Sequence, residues 1–399
     1  MSRSSLINLS LQIVFAGLRY AMMGWVYARS DLAAVGQINA LLTFVTAMTF
    51  VAGFELHQVV NRSILLGTND ELRWGPDRVV MSALVVGVMA WSADLILFGT
   101  NRGTWFTMLV FMVAVTEYLA LEFGRLLIAK SRFLVVTVGG FVRSVAPYLA
   151  VLVIQPTLEA MLSSWLLGSA LVLAMQAVLL WRGAYFVVER RCLSRASYSS
   201  AALFFVAGVS MALMPVIERW LAGNLFSAVV LGQYALAIAL VSLCDLVMQG
   251  GIWQPFIARI LQRLAKSSQR RSTVIILLGI TLVVYLGAGV LALILSDQLL
   301  ELINKDPLPS EVLLGVFILG IAKALYSLVF YCYYATGWER ALVNIQLGMV
   351  TTLVLVMVLG SKTGIDFGIS LATAGGACIV LLLVLVFRWI NSSGPSAEH

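Results

Sequence analysis

The feature that most constrains this chain is a series of uninterrupted apolar runs, of which VIILLGITLVVYLGAGVLALIL at residues 274–295 is the plainest. At 1.5 Å of rise per residue, roughly 20 residues of helix cross a hydrocarbon core about 30 Å thick. A water-soluble fold cannot bury so many runs of that length. Of the 399 residues, 61% are hydrophobic and 11% charged, against roughly 45–50% and about 25% in a soluble domain. Strand-built pores would instead show short segments of alternating polarity. The first run is followed by many others and lacks a small-residue cleavage pattern, so it reads as a span and not as a removable leader. The expectation is an all-α integral membrane protein.

Reading apolar runs between polar breaks places about twelve transmembrane helices, near 6–28, 33–56, 78–99, 104–127, 133–155, 159–181, 199–222, 230–250, 273–296, 312–335, 341–360 and 366–388. With the N-terminus inside, eighteen basic residues fall in cytoplasmic segments, five of them (Arg259, Arg263, Lys266, Arg270 and Arg271) between spans 8 and 9. The opposite side holds four, Arg29, Arg102, Lys305 and Lys362. By the positive-inside rule both termini are expected in the cytoplasm. The outer segment from Asp297 to Glu311, with four acids and one lysine, agrees. This distribution accounts for the net charge of +7 without nucleic acid as a partner.

The four cysteines (Cys192, Cys244, Cys332 and Cys378) show no CxxC spacing, and the only histidines are His57 and His399. Neither a disulfide framework nor a metal site is expected, and no cofactor is implied. No connection is long enough for a soluble domain, so any activity resides in the helices.

An internal repeat organises them. DLAAVGQ at 31–37, after span 1, recurs as SAVVLGQ at 227–233, after span 7. Arg19 precedes the first Gly-Gln and Arg219 the second. Arg62 follows Gly36 by 26 residues, as Arg259 follows Gly232 by 27. The reading is one duplicated six-helix unit: an N-terminal lobe over 1–191 and a C-terminal lobe over 192–399. Six is even, so the halves share one orientation and a pseudo-two-fold runs along the membrane normal.

Charges inside the spans carry the functional reading. An ionisable side chain at the bilayer centre costs roughly 3 kcal/mol on insertion scales, so such groups face a cavity or each other. The candidates are Arg19, Glu117, Glu122, Arg143, Glu218, Arg219, Asp245 and Lys323. Asn8, Gln12 and Arg19 share one helical face, as do Asn39, Thr43 and Thr46, and Ser242, Asp245 and Gln249. Pro147 and Pro215 sit inside spans, where a missing backbone donor permits a bend. Glu122 and Arg125, three residues apart, read as a local ion pair, and Glu218 beside Arg219 as interfacial. For Arg19, Arg143 and Lys323 two readings stand side by side, a ligand cavity and polar glue between helices.

The turn SDLAAVGQ leading to GFELHQVVNR, the stretch EFGRLLIAKSRF after span 4, and ERWLAGNLFSAVVLGQYALA resemble the polysaccharide flippases of the multidrug and oligosaccharide-lipid exporter superfamily, the O-antigen and exopolysaccharide transporters. The resemblance is a pattern over the whole chain. It implies a MATE-like fold: two six-helix lobes forming a V around a central cavity that opens to either side in turn. The cargo it implies is an undecaprenyl-diphosphate-linked oligosaccharide in a bacterial cytoplasmic (inner) membrane. Membrane lipids and a polysaccharide polymerase machinery are the implied partners. The family's cavity cations map to Arg19, Arg143, Arg219 and Lys323.

Fixed cations in a low-dielectric cavity attract a diphosphate, and hydroxyl and amide groups exchange hydrogen bonds with a sugar. Glu117 and Asp245 are the candidate acids for proton coupling. The chain is expected to be a transporter and not an enzyme, with no catalytic residues. A cation-coupled drug exporter of the same fold is the alternative, and it would favour acids over bases in the cavity. A membrane-embedded glycan polymerase or ligase generally presents a large outer loop with Arg and His, which this sequence lacks. A major-facilitator transporter would carry a Gly-Arg-rich signature between spans 2 and 3.

Overall fold

The computed structural model describes residues 3–52, 83–88, 103–129, 132–149, 157–183, 195–246, 248, 253–336 and 338–391. Outside them lie most of the expected span 78–99, the motif GFELHQVVNR with Glu55 and His57, Gln249, the boundary expected at 191/192, and loop cations including Arg62, Arg73, Arg78 and Lys130. Among the described residues there is no strand.

The long helices are α1 (Arg3–Ala28), α2 (Leu32–Ala52), α3 (Thr104–Ala129), α4 (Phe133–Leu149), α5 (Leu158–Arg182) and α6 (Arg195–Leu221), followed by α7 (Ala228–Leu246), α8 (Gln254–Ala265), α9 (Ser267–Leu302), α10 (Ser310–Thr336), α11 (Glu339–Thr363) and α12 (Phe367–Asn391). Every expected span thus has helix among its described residues, which in 78–99 are 83–88. Among the described residues seven helices (α2, α3, α5 and α9 to α12) are long and apolar enough to cross a membrane, and α4 and α7 carry shorter apolar stretches. The helix α8 corrects the sequence reading, which left the stretch between spans 8 and 9 as a connection.

The described residues divide into two compact units, those up to Val216 and those from Ile217 on. The division falls inside α6, next to Pro215. In the first unit α5 packs on both α3 and α4, α1 on α4, and α2 on α3. Its core gathers Phe44, Val113, Leu162 and Trp165. Backbones come close because small residues meet: a Cβ added at Gly168 would lie 2.4 Å from the Ala146 Cβ. In the second unit α12 packs on both α10 and α11, and α7 on α10. α10 is the axis, buried along nearly its whole length. Here glycine meets glycine, and a Cβ at Gly315 would lie 2.4 Å from the carbonyl oxygen of Gly368. Small residues at helix contacts are how membrane helices gain dispersion contact where lipid supplies no hydrophobic drive.

These two packing lists support the duplication. Shifted by six expected spans, α3·α5, α4·α5 and α2·α3 become α10·α12, α11·α12 and α7·α10. The repeated sequence motif also folds alike in both places. Asp31 Oδ1 accepts the Ala34 amide at 2.6 Å at the start of α2, and Ser227 Oγ accepts the Val230 amide at 3.2 Å at the start of α7. Each is a side-chain cap on an otherwise orphaned helix donor. A π-helical turn over Ala222–Phe226 links α6 to the second cap.

Candidate functional site

Each unit contains a buried carboxylate tied to a cation from another helix. In the first, Glu117 on α3 receives Arg143 Nη1 from α4 at 2.8 Å on Oε2. Its Oε1 accepts the indole N–H of Trp165 at 2.8 Å and the hydroxyl of Ser169, both on α5. Three helices thus converge on one acid whose two oxygens are both used.

In the second unit Glu218, near the end of α6, is 1% exposed. Its Oε2 takes Lys323 Nζ from α10 at 2.7 Å and also the Tyr234 hydroxyl from α7. Oε1 has no hydrogen-bond partner. Glu218, read from its place beside Arg219 as interfacial, is a buried partner of Lys323. Arg219 is itself buried and lies over the Tyr234 ring, 5.7 Å from its centroid. Asp245 on α7 accepts the hydroxyl of Tyr285 from α9 and stands exposed.

Arg19 differs from the other intramembrane cations. It is exposed on α1, and its charge bears on the hydroxyl of Tyr148, itself buried on α4. Among the described residues no ion pair joins Arg19 to a carboxylate. The face shared with Asn8 and Gln12 has only Arg19 among its described side chains. Phe15 stacks on Phe141 at 4.2 Å between ring centroids and fixes α1 against α4. The expected local pair of Glu122 and Arg125 forms.

The site residues singled out in the sequence therefore fall into separate clusters. Arg143 and Glu117 meet, Lys323 meets Glu218, and Arg219 meets Tyr234. Trp165, Ser169, Tyr234 and Tyr285 escaped the sequence reading. They are 48 and 52 residues from Glu117, 16 from Glu218, and 40 from Asp245, too far apart for any local pattern to join them. Among the described residues no group of His, Cys, Asp and Glu could hold a metal ion.

Comparison with known structures decides the architecture. A point-mutant form of the Vibrio cholerae MATE transporter VcmN superposes with a TM-score of 0.66 at 15% identity, covering 96% of each chain. The chain has the MATE-like fold. A MOP superfamily transporter from Pyrococcus furiosus, described as having a binding pocket of reverse polarity that suggests a different function, aligns with a TM-score of 0.65 at 11% identity, over 97% of this chain and 95% of that one. An inward-facing multidrug resistance MATE transporter aligns at 0.62 and 11% identity, over 98% and 99%. No protein-family description and no curated protein matches the sequence. This is a multi-pass membrane protein with that fold.

Proposed function

We propose that this MATE-like protein is a transporter that carries a lipid-linked oligosaccharide, with undecaprenyl diphosphate as the anionic anchor, from the cytoplasmic to the outer leaflet of a bacterial membrane. Both termini lie in the cytoplasm in this reading. The observation that carries it is Arg19: an accessible cation on an apolar helix, with no carboxylate neutralising it among the described residues. A lipid-facing arginine would cost roughly 3 kcal/mol at the bilayer centre, whereas one facing an anionic cargo is compensated. A guanidinium offers parallel donors that match phosphate oxygens.

Arg219 is the second candidate contact. Arg143 and Lys323, held by carboxylates, can join only by exchanging partners. The cell's inside-negative potential favours outward movement of about two negative charges by roughly 4–5 kcal/mol per 100 mV, if they cross the full field. The binding pocket of reverse polarity described for the Pyrococcus furiosus transporter supports a cationic site as compatible with this fold.

A drug exporter is the second reading, favoured by the exposed carboxylate of Asp245. The test measures surface polysaccharide and inner-leaflet lipid-linked glycan in cells lacking the protein, complemented by wild type, Arg19→Ala, Arg219→Ala or Asp245→Asn at equal expression. Loss of surface polymer with glycan accumulating inside, restored by wild type and not by Arg19→Ala, is the expected result. Normal polymer together with drug hypersensitivity that Asp245→Asn fails to rescue would overturn it in favour of the exporter.

A further inference from the structure

The helix α8 and the residue that caps it place three cations on one side. Arg259, Arg263 and Lys266 follow at i, i+4 and i+7, all exposed, while Ile260, Leu261 and Leu264 on the other side are buried. α8 packs its buried side on α9 and α10, within the second unit. Two further cations, Arg270 and Arg271, open α9. Arg270 is fixed: its Nε donates to the Leu264 carbonyl at 3.0 Å, and its guanidinium lies 5.2 Å from the centroid of the Trp389 ring on α12.

Five cations in thirteen residues repel one another, and the sequence has no acid between Asp245 and Asp297 to offset them. Among the described residues no ion pair joins any of the five to a carboxylate. Their depth is set by α9. The exposed apolar surface of that helix begins at Ile275 and Ile276, about 6 Å along the axis from Arg271 at 1.5 Å per residue. That offset is the distance from the edge of the hydrocarbon to the phosphate layer of a headgroup region, and polybasic amphipathic segments at that depth attract anionic lipid.

The geometry points to a binding surface for anionic phospholipid headgroups, formed by Arg259, Arg263, Lys266 and Arg271 and held in register by Arg270. It recruits acidic lipid of the leaflet at the N-terminal end of α9. The inference rests on α9 crossing the membrane and not on the cargo, so failure of the glycan assay leaves it standing.

The test uses purified full-length protein in bilayer discs of phosphatidylcholine with a rising fraction of phosphatidylglycerol, and counts the lipids retained by native mass spectrometry. Wild type is expected to retain phosphatidylglycerol preferentially, with the preference falling as salt rises. Changing Arg259, Arg263, Lys266 and Arg271 to Gln should weaken it by roughly fivefold per cation removed, and changing the three arginines to Lys should preserve it. The paired variants Arg259→Gln with Arg263→Gln, and Lys266→Gln with Arg271→Gln, give the same reading should the fourfold variant fail to insert. Unchanged retention in the neutralised variants would overturn the proposal and leave the cations a purely topological role. Displacement of the lipid by millimolar inorganic phosphate would also overturn it, since the surface would then be a site for a soluble anion.

Discussion

The Glu117 cluster of the first unit and the Glu218 cluster of the second use the same chemistry to different ends. Glu117 spreads its partners over both oxygens: arginine on one, indole and serine on the other. Glu218 places lysine and tyrosine on a single oxygen and leaves the second without a partner. A fully satisfied buried acid locks the helices that supply its donors. One with a vacant oxygen carries an unmet desolvation cost and gains by any rearrangement that brings a donor. The first cluster is a fastening for α3, α4 and α5. The second is the place where partners can change.

The sharpest way to break this contrast is to remove each acid. Glu117→Leu strands Arg143, whose side chain is 12% exposed, and removing one partner of a buried ion pair costs about 3–5 kcal/mol. Glu218→Leu strands Lys323, which is 21% exposed and has a flexible stem that can carry its ammonium toward water. We expect Glu117→Leu to lower the midpoint of thermal unfolding in detergent by at least twice as much as Glu218→Leu. Equal shifts would mean that the vacant oxygen has no consequence.

A smaller effect separates the donors. Trp165→Phe removes the indole bond to Glu117, and a hydrogen bond to a charged group contributes about 1.5–3 kcal/mol. Tyr234→Phe leaves Lys323 on the same Glu218 oxygen and should cost less, toward the lower end of the same range. Chemical denaturation of the two variants, compared at equal protein-to-detergent ratio, checks the order. A larger loss for Tyr234→Phe would reverse the roles assigned to the two clusters.

The smallest expected effect concerns what the units share. Asp31→Ala and Ser227→Ala each remove a helix cap worth about 1 kcal/mol. Amide hydrogen exchange at the first turns of α2 and α7 should increase by similar factors in the two variants. A response in one alone would mean that the repeated motif has kept its sequence and lost its structural equivalence.

The duplication was legible because it is written in local pattern: apolar runs at membrane length and a capped Gly-Gln turn that recurs six spans later. The helix α8 was legible too, since Ile257, Ile260, Leu261 and Leu264 alternate with Arg259 and Arg263 at helical period, but its brevity beside the spans made it read as a connection. The clusters were legible only in part. Burial economics singled out Arg143, Glu117, Lys323 and Glu218 as charges that had to be accounted for, yet could not say that they answer one another. Lys323 and Glu218 stand 105 residues apart, and only the fold of the second unit brings them together. Arg19 shows the converse. Its exposure depends on which face of α1 meets α4, and the ring pair of Phe15 and Phe141 that fixes this face has no signature in either segment.

The seam between α10 and α12 has a mechanical consequence. Backbone comes close to backbone at Gly315 and Gly368, and again where Gly375 approaches the Leu319 amide, so at these points the two helices have no compliant layer of side chains between them to take up sliding or rotation. They form a stiff double rod. A tug on Lys323, which α10 carries, is then delivered along α12 to the Trp389 end instead of being dissipated next to where it was applied.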